Sequence, residues 1–265
     1  PYGIPEAIKQ IDLYGDKMGG VLTRVGLQFW TPRENGTIFY ATHENVRPTD
    51  GHVRHFQEWA QQHNVKLLLC LYNYNGSWDW DLAQNAFRHK EGETLAQALS
   101  KEVERLGLDG VDVDLEGIGD FEKDRAAFNS FIDKLSAKLK KKGKILTVDT
   151  FHSPCLNAPN MSWWKSWIGK VDQIHAMGYQ DLYEGATDST LCDIKGIFQY
   201  STQLGYAKKE GLPDGMVLMG MPLWIDHWGS GGKGSRAVDH LLEIKAVKAG
   251  VALWELEKWG LTPGW

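Results

Sequence analysis

Short apolar runs alternate with amphipathic stretches along most of this chain, and the alternation predicts its architecture. The apolar runs are Leu22–Trp30, Val65–Tyr72, Leu108–Glu116, Ile145–Phe151, Val171–Met177, Met216–Pro222 and Val251–Trp254. Between them lie helix-like segments at Asp50–His63, Glu93–Leu106, Glu122–Lys142, Ser162–Gly169, Asp193–Leu204 and Arg236–Lys248. The third segment shows the helical period clearly, with Phe128, Phe131, Ile132, Leu135 and Leu139 on one face. Strands that are apolar throughout, alternating with helices, imply a parallel sheet covered on both faces. Seven such strands in 265 residues favour an α/β fold of the (β/α)8 TIM-barrel type over an open sheet. The ends predict an atypical or trimmed barrel. Residues 1–4 read as the tail of a first strand and Pro5–Lys17 as its helix, while little chain after Trp254 remains for a last helix. Thr31–Thr42 reads as a hairpin excursion, and with no linker or repeat the whole of 1–265 is expected to form one domain.

Catalytic groups of such barrels sit at the carboxyl ends of the strands. The segment Leu108–Gly117, LDGVDVDLEG, is the informative one. Strand side chains alternate between faces, so Asp112, Asp114 and Glu116 point into the barrel while Val111, Val113 and Leu115 point away. Glu116 lies nearest the rim. Carboxylates packed together raise one another's proton affinity, which suits a general acid near neutral pH. The same acids could bind a divalent cation, but no acidic or His cluster at another strand end obviously completes a shell, and no metal is expected. By the same strand-end rule, Trp30, Tyr72, Trp224 and Trp254 are candidate contacts for a bound molecule.

Composition narrows the ligand. A formal charge of -5 carries no basic footprint for nucleic acid. The one dense basic run, Lys138 to Lys144, ends a predicted helix, where cations suit the helix dipole. No stretch reaches the roughly 20 apolar residues of a membrane span. Three cysteines, Cys70, Cys155 and Cys192, allow at most one bridge and leave the redox compartment open. The chain starts at Pro1 and reads as a processed or trimmed product. The unusual number is 12 Trp. Trp78, Trp80, Trp163, Trp164 and Trp228 fall in loop-like contexts rich in Gly, Ser and Asp, where an exposed ring suits the flat apolar face of a sugar.

Residues 109–116 match the signature D-G-x-D-x-D-x-E of family 18 glycoside hydrolases at every fixed position: Asp109, Gly110, Asp112, Asp114 and Glu116. Later segments agree in order. Val171–Asp181, VDQIHAMGYQD, resembles the family's sixth strand and puts Met177 and Tyr179 on the inward face; Met216–Trp224 resembles the seventh; Val251–Leu256 resembles the eighth, whose Trp forms the floor of the sugar site. The resemblance spans about residues 20–256. It departs at Gln180, where Asp is common, at Leu115, where chitinases often have Trp, and at CLYNYNG, which replaces Ser-x-Gly-Gly after the third strand.

The resemblance implies a retaining, substrate-assisted hydrolysis of β-linked GlcNAc polymers, an exception to the two-carboxylate scheme. Glu116 would protonate the glycosidic oxygen, and the acetamido group would attack its own anomeric carbon to give an oxazolinium ion. Asp114 would orient the acetamide, Tyr179 would hold its oxygen, and Asp112 would exchange a proton or hydrogen bond with Asp114. Met177, Gln180, Trp224, Trp254, Trp30 and Tyr72 would contact sugar, without cofactor, in a secreted monomer. An endo-β-N-acetylglucosaminidase acting on N-glycans and a non-catalytic chitinase-like lectin are the alternatives. Such lectins typically lose the catalytic Glu, which is intact here.

Overall fold

A computed structural model describes residues 3–41, 46–74, 76–153, 155–177, 199–223 and 234–255. The strands are β1 (Arg24–Pro32), β2 (Ile38–Tyr40), β3 (Lys66–Tyr72), β4 (Gly110–Asp114), β5 (Ile145–Thr150), β6 (Gln173–Ala176), β7 (Val217–Pro222) and β8 (Gly250–Trp254). The helices are α1 (Ile4–Gly19), α2 (Asp50–His63), α3 (Trp80–Arg88), α4 (Glu93–Leu106), α5 (Arg125–Lys140), α6 (Tyr200–Lys209) and α7 (Gly234–Ala246). The sheet order is β2-β1-β3-β4-β5-β6-β7-β8, parallel from β1 to β8 except for β2, which pairs antiparallel with β1 as the expected hairpin. This is the α/β barrel architecture read from the sequence. Among the described residues no ladder joins β8 to β1, so the barrel is open there. Nor do residues 3–4 form the tail of a strand, since α1 already starts at Ile4.

Local chemistry accounts for the helix limits. Thr49 caps α2 by accepting from the His52 N–H at 3.3 Å, and Asn64 closes it in the left-handed conformation. Gly107 closes α4 the same way. The helix α3 was not foreseen. Its signal is Asp79, whose carboxylate accepts from the Leu82 N–H at 2.9 Å, ahead of a face formed by Trp80, Ala83, Ala86 and Phe87. Residues Met161–Trp167 form a 3-10 helix where an α-helix was expected over 162–169. Of Asp193–Leu204, residues 193–198 lie outside the described residues, and the rest falls largely in α6 from Tyr200.

Val111, Val113 and Leu115 are fully buried between sheet and helices, in one core with Leu99 and Val103 of α4 and Phe128, Ile132 and Leu135 of α5. Each such side chain contributes about 1.5–3 kcal/mol through burial. That core holds β4 rigidly, and the strand's other face carries the site.

Candidate active site

The ladder registers set which residues share the barrel interior. Gln28 pairs with Cys70, Cys70 with Asp112, Asp112 with Thr147, Tyr72 with Asp114, and Asp149 with His175. These positions have the inward parity, and so do Met177 after β6 and Trp254 opposite Pro222 on β8. Two glycines make room. A Cβ at Gly110 would collide with the Ile145 carbonyl, and one at Gly26 would sit 2.9 Å from Asp112 Oδ2. Asp109 works outside the barrel, where its carboxylate accepts from the Leu67 N–H at 3.0 Å and from Lys66 Nζ at 3.2 Å. It anchors β3 to β4.

Asp112 and Asp114 are 7% and 3% exposed. Asp112 Oδ1 accepts from the Thr147 hydroxyl, and Asp114 Oδ2 accepts from Gln28 Nε2 at 2.7 Å. Glu116 follows two residues beyond β4 and is partly buried. Its main chain is held by Asn73, a fully buried residue just past β3. Asn73 Oδ1 accepts from the Glu116 N–H at 2.7 Å, and Asn73 Nδ2 donates to the Glu116 carbonyl at 2.8 Å. Gly117 then pairs with Ala158 through two 2.8 Å hydrogen bonds, and a Cβ on it would strike the Trp80 ring. Trp80 is fixed in turn by donating to the buried Asp124 at 2.9 Å. The acid therefore stands on a backbone gripped from three sides.

The electrostatics favour retained protons. Burial, and next the charge of Asp149, pushes Glu116 up to about 7, although a hydrogen bond from Asp114 works the other way. Burial and then the Glu116 charge raise Asp114 well above the ordinary carboxylate range. Asp112 is pushed up to about 7, by burial first and then by Asp149.

Asp149 and His175 escaped the sequence reading. His175 Nδ1 lies 2.6 Å from Asp149 Oδ1 and 3.8 Å from Asp112 Oδ1. Burial alone would lower the imidazole's proton affinity, but the two carboxylates outweigh it and raise His175 to about 9. The sequence showed no acidic or His cluster at another strand end that obviously completes a shell, but the fold supplies one: donor atoms of Asp112, Asp149 and His175 all lie within 4.8 Å of one another, as do those of Cys70, Asp114 and Asp149. The first of these groups, as it stands, does not fit a tetrahedral ion. The 2.6 Å contact is a hydrogen-bond distance, closer than two donors about 2 Å from one tetrahedral cation would sit.

The aromatic candidates divide. Trp254 is half-buried with inward parity, and its peptide to Glu255 is cis. Tyr72 faces inward beside Asp114 and packs edge-on against Trp78, with ring centres 6.4 Å apart. Trp30 takes the outward parity after an irregularity between Gln28 and Trp30, is 1% exposed, and donates to Glu102 on α4 at 3.2 Å. This placement corrects its assignment as a sugar contact. Trp80, Trp163 and Trp164 are likewise core residues with bonded indole N–H groups rather than stacking platforms. Tyr179, Gln180, Trp224 and Trp228 lie outside the described residues.

The model of the family described as glycosyl hydrolases family 18 matches residues 8–257. The chain belongs to that family. No curated protein sequence matches this family 18 chain. Among solved structures it resembles a chitinase from Bacteroides thetaiotaomicron (TM-score 0.69, 19% identity, 94% of this chain and 86% of that one). It also resembles a chitinase from Chromobacterium violaceum (0.62, 17%, 80% and 65%) and the spore cortex-lytic enzyme SleL from Bacillus cereus (0.63, 20%, 82% and 47%). This family 18 chain thus spans less than two thirds of the length of the last two. At these identities the likeness is one of fold.

Proposed function

We propose that this family 18 chain hydrolyses β-1,4-linked GlcNAc polymers, chitin or its oligosaccharides, with retention of configuration. One observation carries the reading: a carboxyl held protonatable near neutral pH, on a clamped backbone at the strand end, beside a second buried carboxyl aligned by Gln28. Glu116 protonates the glycosidic oxygen as the acetamido oxygen of the same sugar attacks the anomeric carbon. Asp114 accepts the acetamide N–H and stabilises the oxazolinium charge, while Asp112 holds Asp114 in its orientation. Tyr179 binds the acetamide oxygen, and Trp254 forms the floor under that sugar. Water then opens the oxazolinium ion as Glu116 takes its proton.

The family supports hydrolysis over a sugar-binding role, and the intact Glu116 argues the same way. Cys155 is disulfide-bonded, which favours an oxidising compartment, and no helix among the described residues is long and apolar enough to cross a membrane. Residues 1–265 would serve as one catalytic barrel domain. The experiment is product analysis on chitooligosaccharides, the same oligomers without N-acetyl groups, a high-mannose glycopeptide and cell-wall glycan. Cleavage of the first with initial release of the β-anomer, and none of the second, is expected. Cleavage of the glycopeptide alone would replace the polymer by an N-glycan substrate.

A further inference from the structure

The β4 acids do not stand alone in the barrel floor. Asp149 on β5 approaches the first two of them, with carboxylate oxygens within 4.8 Å of donor atoms of Asp112 and His175 on one side and of Cys70 and Asp114 on the other. His175 on β6 closes the row with contacts of 2.6 Å to Asp149 and 3.8 Å to Asp112. The two side chains are only 15% and 17% exposed. Among the described residues, the charged and titratable groups facing His175 are Asp149, Asp112 and, from β1, Arg24, which opposes its charge. Its ladder partner on β7 is Leu218, and Cys70 on β3 meets Asp112.

Four carboxyls in the barrel interior, Asp112 and Asp114 buried and Asp149 and Glu116 partly so, cannot all ionise unless a cation joins them. Among the described residues, His175 is the basic side chain in contact with two of them. Its imidazolium would match the Asp149 charge and leave Asp112 as an acceptor for the Thr147 hydroxyl. The mobile proton is then left to Asp114 and Glu116, where the chemistry needs it.

We propose that Asp149 and His175 form an ion pair that holds Asp112 in place as the acceptor of the Thr147 hydroxyl and sets the electrostatic field in which Glu116 works, making both of them positioning residues. The proposal rests on the reaction assigned above. Neither residue touches the substrate, so their variants should lower kcat about tenfold or more while KM stays within about twofold. The pH profile separates this from a merely structural role. The alkaline limb of kcat/KM follows loss of the Glu116 proton. His175→Gln removes a cation and should move that limb up by up to about one pH unit, whereas Asp149→Asn removes an anion and should move it down.

Imidazole nitrogen NMR of the wild-type chain reads the pair without any substrate. A charged His175 at neutral pH, losing its proton at lower pH in Asp149→Asn, is the expected result. A neutral His175 imidazole at neutral pH, or limbs that stay put or shift in the same direction in both variants, overturns the ion pair. Should His175→Gln fail to fold, the NMR titrations of the wild type and Asp149→Asn decide. Should the wild type cleave no GlcNAc oligomer, the proposed substrate fails, and the same titrations still test the pair.

Discussion

The two faces of β4 are five residues of one strand in opposite surroundings. Val111 and Val113, with Leu115 just beyond, face helices through a fully apolar contact; Asp112 and Asp114 face the barrel interior together with Asp149, His175, Thr147 and Gln28. The first face gains stability from burial. The second holds carboxyls where water solvates them poorly, so they keep protons that ordinary carboxylates would release. Stability and chemistry are thus divided by strand parity alone, and the division can be broken one face at a time.

Glu116→Gln should have the largest effect, a fall in turnover of about 10²–10⁴-fold or more, because the general acid is lost. Sugar binding and the thermal midpoint should change little, since the amide fits the same space. Turnover within threefold of wild type would remove Glu116 from that role. Leu115→Ala probes the other face. It should cost about 2–5 kcal/mol in denaturant unfolding, the range for truncating a buried Leu. Turnover per folded molecule should not move, and a drop there would mean that the two faces are coupled through the backbone.

Parity also explains how far the sequence could be read. The alternation of runs located β3 to β8, and the limits of α2 and α4 were legible because each is bounded by a cap or a left-handed residue. The β4 acids were legible because three fall at alternate positions in a single run. Asp149 and His175 obey the same inward parity, but each is a single polar residue in a different strand, and only the register of β5 with β6 brings them together. Applying the alternation to VDT and IHA would have nominated them. Asn73 was hidden for another reason: its role is to hold backbone, and an Asn after a strand carries no mark of that. Trp30 was misplaced because one irregularity in β1 inverted its face. Trp80, Trp163 and Trp164 were misjudged because turn-like composition was read as exposure, whereas Asp79 and Asn160 were capping short helices that bury the rings.

Tryptophan therefore gives a second, smaller test of the division between rim and core. Trp254→Ala should weaken sugar binding by about 1–3 kcal/mol, the worth of a large apolar contact, with little change in thermal midpoint. Trp80→Ala should instead lose about 3–5 kcal/mol of stability. It removes the ring beneath Gly117 and leaves the buried Asp124 with one donor fewer. Melts and sugar titrations on both proteins compare them directly. A large melting shift in Trp254→Ala with unchanged affinity would move that residue into the core.

The smallest expected effect is a slope. Outside the barrel, Arg105 and Tyr40 bind Asp50 and hold it down to about 2, so its contribution is present above the usual carboxylate range and is lost as pH falls through about 2. Inside, the sign reverses. Glu116 and Asp112 are raised to about 7, so the folded protein binds their protons more tightly than the unfolded chain does. Their contribution is complete below about 4, and it is lost as pH rises to about 7. His175, raised to about 9, extends the decline, since its contribution is present below about 6.5 and lost as pH rises through 9. The thermal midpoint should therefore fall from weakly acidic to alkaline pH, by about 2–4 °C per kcal/mol in a chain of this size. Glu116→Gln removes one of the raised groups and should flatten the part between pH about 4 and 7 while leaving the alkaline part intact. Parallel curves for variant and wild type would show that Glu116 binds its proton no more tightly folded than unfolded, and the contrast between the two faces of β4 would then be one of packing alone.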